Sequence, residues 1–439
     1  MMRARKLGKG TLLALGTGTS IACVCMLGVA MIHASAPGLW SLAVVAVAYA
    51  VCRRLAGVLA HLVKTVASGA GMFAVVARAW GPAAGVAAIA PYVILMIVLG
   101  ALEALVAGHL LRRWMPVSAP AAALVLLASS WAICVVGIRL SSRIQAFATW
   151  LLVAGIAIVA THLLLDASGT VGWPGTLLTP APSPAAFASA VGQAIFLFMG
   201  FELLCTHVES SDVPAVSWAL RRTVLVLAIV YGFVLLAVSP QATSVLPDPG
   251  IAGLLAQFTG ASGDAAALLV LALCLLASMT SLNGAFMGVS RLVAAMARQR
   301  VLPPALAVVH APAMVPRRAL TLLLALCAMA VVAIDHSGGY RVVIHAASVA
   351  AATLYALALL VRGRPPFAPA NEPRVRAAAL ADKGLAALLV AVAAGVLLDA
   401  GECLWAVSTL LVVTLAAGLL AALRLRRGSQ RAFSMGEAT

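Results

Sequence analysis

Two carboxylic acids sit where water would not ordinarily reach them. Glu202 lies in the stretch 192–208, about 17 apolar-rich residues that would cross about 25 Å as a helix. Glu103 lies in Leu102-Glu103-Ala104, well inside another apolar run. A carboxylate at mid-bilayer costs on the order of 3 kcal/mol, so it faces a cavity or a partner, or is protonated. Gly200 precedes Glu202, and a glycine weakens a helix by about 1 kcal/mol relative to alanine. A broken helix that carries a buried carboxyl can exchange a proton and offer bare backbone groups to a small ligand. Each acid also has a structural reading. Glu202 could hydrogen-bond the backbone freed at Gly200. Glu103 could pair with Arg112 or Arg113, although these lie roughly 13–15 Å further along a helix.

Other polar residues in apolar runs extend this chemistry. Gly16-Thr17-Gly18-Thr19-Ser20 could unwind the first span and expose donors for a carboxylate, or it could let helices pack closely through small residues. Asn283, with Ser278, Thr280 and Ser281, forms a polar patch on a later span. That patch could hold substrate, water or a sodium ion, or make an interhelical hydrogen bond. Phe196, Phe198 and Met199 precede the Gly200 break, as bulk or as a wall for a ligand. His109, His162 and His345 fall near span ends and read as interfacial. Glu209 and Asp212 are expected to form an inner network with Arg221 and Arg222. The eight cysteines lie in apolar runs without metal-ligand spacing beyond a bare Cys23-x-Cys25, and read as small packing residues. No metal site, cofactor motif or catalytic residue is expected. There is no His-Glu-x-x-His, no Ser–His pairing and no nucleotide-binding glycine loop.

The elements that would position these groups follow from composition. Of 439 residues, 64% are hydrophobic and only 10% charged. Continuous apolar runs near 20 residues define an all-α polytopic membrane protein and exclude a β-barrel, whose strands alternate. Twelve spans are expected, near 11–32, 38–60, 82–111, 119–138, 144–166, 186–208, 219–240, 265–290, 317–335, 341–361, 384–400 and 402–423. The net charge of +16 does not point to nucleic acid, because the basic residues cluster in short loops. With both termini in the cytoplasm, all but three of the 29 Lys and Arg (Arg112, Arg113 and Arg341) lie inside. A multi-pass protein of the cytoplasmic membrane is expected. Breaks in the first and sixth spans are five helices apart and so oppositely oriented, the layout of a five-plus-five inverted repeat. The repeats would be 1–166 and 186–361, followed by two C-terminal helices in 384–423 and a cytoplasmic tail, 424–439.

Read in order, short motifs resemble the amino acid–polyamine–organocation permeases over nearly the whole chain. They are Ala14-Leu15-Gly16-Thr17-Gly18, Ser68-Gly69-Ala70-Gly71-Met72-Phe73, Arg78-Ala79-Trp80-Gly81-Pro82 and the stretch 137–145. Phe198-Met199-Gly200-Phe201-Glu202, Glu209, and Ser281-Leu282-Asn283 through Arg298 and Pro303 continue the series. The resemblance implies the twelve-helix, sodium-symporter-like fold. It implies that helices one and six rock against helices three, four, eight and nine. It places Glu202 at a family glutamate linked to protons, and Phe196 and Phe198 at aromatic gates. Some members carry a helix-five lysine in place of sodium; Leu152 stands at the matching position here, and the Asn-Pro after helix six is reduced to Asp212-Val213-Pro214. The short chain and Ser281-Leu282-Asn283 look most like bacterial exporters of neutral amino acids.

The expected protein is a secondary transporter of amino acids or related small amines. Its substrate carboxylate would meet backbone N–H groups at Gly16–Ser20, and its amino group the carbonyls around Phe198–Gly200. Protons are the preferred couple, through Glu202, with sodium left open. The partners are the small molecule, the ion and the bilayer. The alternative is a permease-like membrane sensor that binds an amino acid without moving it.

Overall fold

A computed structural model describes residues 6–112, 114–168, 177–238, 263–310, 313–337, 340–363, 367, 373–399 and part of 401–423. Its helices are α1 (Lys9–Ser20), α2 (Cys25–Ser35), α3 (Leu39–Thr65), α4 (Met72–Trp80), α5 (Pro82–Arg112), α6 (Ala119–Val136) and α7 (Ile138–Ser168). Then come α8 (Pro184–Leu197), a 3₁₀ helix over Phe201–Ser210, α9 (Val213–Val238), α10 (Gly263–Arg298), α11 (Arg317–Ser337), α12 (Tyr340–Arg362) and α13 (Pro373–Asp399). Among the described residues, ten segments are long and apolar enough to cross a membrane. The first span is not one of these ten, because it is split into α1 and α2. The region of the last expected span, 402–423, and the tail lie largely outside the described residues, as do the loop 241–262 and residue 113.

Burial sorts the spans into an inner and an outer set. In the sixth span, Pro184–Ser210, 89% of the apolar window is buried inside the bundle, against 22% in Ile138–Leu165. The sixth span is therefore central and α7 faces outward along most of its length. α8 packs against α2, α3, α12 and α13, while the 3₁₀ helix packs against α1, α9 and α10. The two halves of the first span thus run alongside the two halves of the sixth. In lipid, such contacts rest on close packing and hydrogen bonds, since tails and side chains are equally apolar.

One packing feature corrects an expectation. Gly16-Thr17-Gly18-Thr19-Ser20 does not unwind; α1 runs helically through it, and the chain breaks just after it, over 21–24. The glycines serve close approach instead. A Cβ on Gly16 would lie 2.6 Å from Thr223 Oγ1 and 2.7 Å from Leu204 Cδ1. A Cβ on Gly18 would run into Thr149 Oγ1 on α7 and sit 3.2 Å from Thr280 Cβ on α10. These two positions let α1 nest between α7, α9 and α10. The real break has an extended Ile21 (φ −92°, ψ 93°), which an ordinary side chain adopts without strain.

Candidate functional site

The break in the sixth span falls where the local sequence is weakest. α8 ends with Phe198 N–H donating to Ile195 O (3.1 Å) and Met199 N–H to Phe196 O (2.9 Å). Gly200 then takes φ 111°, a backbone region that disfavours any residue with a Cβ. The two breaks meet here. A Cβ on Gly200 would sit 3.1 Å from Ser20 Oγ and 3.2 Å from Thr19 O.

Both carboxylates cap backbone freed by these breaks. Glu103, on α5, accepts from Cys23 N–H (2.7 Å, Oε1) and Val24 N–H (2.8 Å, Oε2) at the start of α2. Those two donors have no carbonyl one turn back, and the half-helix start carries partial positive charge, so a carboxylate suits them. The ion pair considered with Arg112 is absent; Glu103 is 2% exposed and turned to the break. Glu202 accepts from Gly200 N–H (3.1 and 3.0 Å), the backbone contact its structural reading anticipates. It also accepts from two phenols, Tyr92 on α5 (2.5 Å) and Tyr355 on α12 (2.9 Å). No Lys, Arg or His among the described residues lies within salt-bridge distance of it. Glu202 thus ties the broken sixth span to two neighbouring helices through groups that can donate or accept.

Between the breaks lies a cavity of about 50 Å³, walled by Ser20, Val24, Glu103, Phe196, Met199 and Gly200 among others. That volume holds about one or two waters. An amino acid would need the bundle to open. Of the residues singled out in the sequence, Thr19 and Ser281 also line the cavity, whereas Gly16, Thr17, Gly18, Phe198, Glu202 and Asn283 do not. Phe198 turns instead to Tyr231 (ring centroids 6.3 Å), whose hydroxyl donates to Ser20 O (2.7 Å). Ser20 Oγ is buried and, among the described residues, has no hydrogen-bond partner.

Asn283 belongs to a separate network. Its Nδ2 donates to Gln145 Oε1 (2.5 Å), and its Oδ1 accepts from Ser141 Oγ (2.7 Å) and Cys134 Sγ (2.9 Å). Gln145 Nε2 in turn donates to Thr280 O on α10 (3.0 Å) and reaches Leu15 O on α1 (3.5 Å). A neutral amide from α7 therefore fills the space between α1 and α10, while Leu152 is simply buried. Sequence reasoning does not single out Gln145, Tyr92, Tyr231 or Tyr355 as functional. A signal for them exists: a polar side chain inside an apolar span has to find a partner.

The end of the bundle bearing the N-terminal segment is stitched shut. Leu7 N–H donates to Ser210 O (2.9 Å), and Lys6 pairs with Asp212. Arg291 on α10 donates to Thr206 O (2.9 Å) and Ser210 Oγ (3.2 Å) and contacts His207 Nδ1 (2.9 Å). Glu209 accepts from Gly69 N–H (3.1 Å) and lies 3.9 Å from Arg298. The acids of this loop thus pair with Lys6 and Arg298, not with Arg221 and Arg222, which are exposed on α9. At the other end His109 lies 3.6 Å from Asp335. His345 is buried rather than interfacial, because it sits on the inward side of α12. Among the described residues no group of three His, Cys, Asp or Glu could hold a metal.

Among the described residues, ten apolar spans, one of them broken opposite the break between α1 and α2, make a multi-pass membrane protein. Its family and structural likenesses make it a membrane transporter of the sodium-symporter-like fold. The amino acid permease family profile matches residues 8–418, and the chain belongs to that family. No curated protein matches the sequence. Solved structures do. A sodium-coupled sialic acid symporter, substrate-bound and outward-open, superposes with TM-score 0.57 at 11% identity over 89% of each chain. The manganese transporter of Eremococcus coleocola, in complex with an aromatic bis-isothiourea substituted compound, superposes with TM-score 0.59 at 12% identity, over 97% of this chain and 94% of that one. At these identities the likeness is one of fold.

Proposed function

We propose that the protein is a secondary transporter that moves amino acids or related small amines across the cytoplasmic membrane by alternating access, with protons as the coupling ion. Glu202 carries this reading. It is a buried carboxyl at a helix break, held by Tyr92 and Tyr355 from two other helices and by no cation among the described residues. Adding a proton removes a buried charge and rearranges all its hydrogen bonds, which gives the sixth span a reason to repack. Protons are preferred over sodium because Asn283 Oδ1 and Thr280 O, two of the oxygens the polar patch could offer an ion, already receive protein donors. The likeness to a sodium-coupled symporter is one of fold and does not carry its ion across.

Substrate would enter the cavity between the breaks. Its carboxylate would take the N–H groups of Cys23 and Val24 from Glu103, rather than any donors at Gly16–Ser20, and its amino group the carbonyls exposed before Gly200. Thr19, Ser20, Phe196, Met199 and Ser281 would complete the walls. Residues 1–166 and 186–361 would be the inverted repeats, with both termini in the cytoplasm. Radiolabelled flux in proteoliposomes, over a panel of amino acids and amines with and without a pH gradient, tests the reading. Binding without flux would make the protein a sensor instead and overturn it.

A further inference from the structure

We propose that the groove between α3 and α9 is a binding site for the phosphate headgroup of an anionic membrane lipid. The groove encloses about 890 Å³ at the end of the bundle that carries the N-terminal segment. α3 contributes Arg53 and Lys64 to its wall, and α9 contributes Arg221 and Arg222, with Tyr49 and Trp218 between them. None of these four cations lies within salt-bridge distance of an acid among the described residues. Arg54 lines the same groove but is committed elsewhere, donating to Asp382 Oδ1 (2.7 Å) on α13. Lys9 adds a further charge, its ammonium 5.9 Å above the Trp218 ring.

The general excess of Lys and Arg in cytoplasmic loops and helix ends does not require four of them to line one cavity. These residues lie within two helices rather than in loops. They converge on one concavity, and its aromatic side chains suit the headgroup level of a bilayer. One to two turns nearer mid-span the helices carry Val47 on α3 and Ile229 on α9, 36% and 62% exposed. A ligand lying here would meet positive charge at one end and apolar surface at the other. A diacyl lipid with a phosphate headgroup has that chemistry; a free phosphate matches only the first half.

The test uses the full-length protein in neutral detergent, titrated with phosphatidylglycerol, phosphatidylcholine or inorganic phosphate while its melting temperature is followed. Phosphatidylglycerol should raise the melting temperature in a dose-dependent way, and the other two should not. Arg53→Gln with Arg221→Gln and Arg222→Gln should weaken the response by about tenfold or more in lipid concentration, since each cation contributes separately. A control with the same charge change, Arg139→Gln with Arg143→Gln and Arg317→Gln, should respond like the wild type. Native mass spectrometry of the wild type, which needs no variant to fold, should show retained phosphatidylglycerol in preference to phosphatidylcholine. Equal responses to the two lipids, or an unchanged response in the groove variant, would overturn the proposal. A response to inorganic phosphate as large as that to phosphatidylglycerol would make this a soluble-anion site and overturn the lipid assignment.

Discussion

Replacing Glu202 by glutamine separates its charge from its hydrogen bonds. Glutamine keeps one oxygen as acceptor, and its new NH₂ can donate to a phenol that rotates to accept. Of the three donors that now converge on the carboxyl, from Gly200, Tyr92 and Tyr355, two can stay on the amide oxygen, and only the phenol that accepts from the NH₂ must turn its own hydrogen elsewhere. The cost to folding should be on the order of 1 kcal/mol, the difference between charged and neutral hydrogen bonds. Alanine strands all three donors at roughly 1–3 kcal/mol each, so the loss should be about 3 kcal/mol or more unless water enters. Function should move the other way. One pH unit is worth about 1.4 kcal/mol, so one coupled proton supports about tenfold accumulation of substrate. In proteoliposomes with a one-unit gradient, wild type should approach that ratio. Glu202→Gln should bind and exchange substrate yet settle near equal concentrations, with a flattened pH profile. If Glu202→Gln accumulates substrate to the wild-type ratio with the same pH dependence, the coupling role is refuted. Glu103, the other carboxyl at a break, then becomes the group to test.

Gly18→Leu should abolish folding or assembly rather than merely block a backbone site, because a Cβ already runs into Thr149; a well-folded, active Gly18→Leu by size-exclusion and flux would contradict that packing. Gln145→Leu leaves the Asn283 amide without its acceptor and unlinks α7 from Thr280, so stability should fall by about 1–3 kcal/mol. Wild-type flux should not need a sodium gradient, and a strict sodium requirement at fixed pH and voltage would overturn protons as the coupling ion. Cysteines placed at Lys64 and Leu178, both exposed, should label only from the cytoplasm and only from outside respectively; the opposite pattern in intact cells would reverse the orientation.

Most of the architecture is legible in the residues because it depends on run length. A continuous apolar stretch near 20 residues has few fates other than a membrane helix, and Gly200 beside Glu202 marks a place where a helix is weak and a charge is buried. Partner choice is not legible. Gly16 and Gly18 look the same in sequence whether they unwind a helix or let another come close. Only the positions of Thr149, Thr223 and Leu204, on helices far along the chain, decide for packing and leave the break to 21–24. Likewise a carboxyl in an apolar span must find donors, and sequence alone says that much for Glu103 and Glu202. Which donors it finds, the N–H groups of Cys23 and Val24 for one and two tyrosines for the other, is decided by how helices lie against each other. Asn283 shows the same division: its need for a partner is local chemistry, while Gln145, 138 residues away, is the answer that tertiary packing supplies.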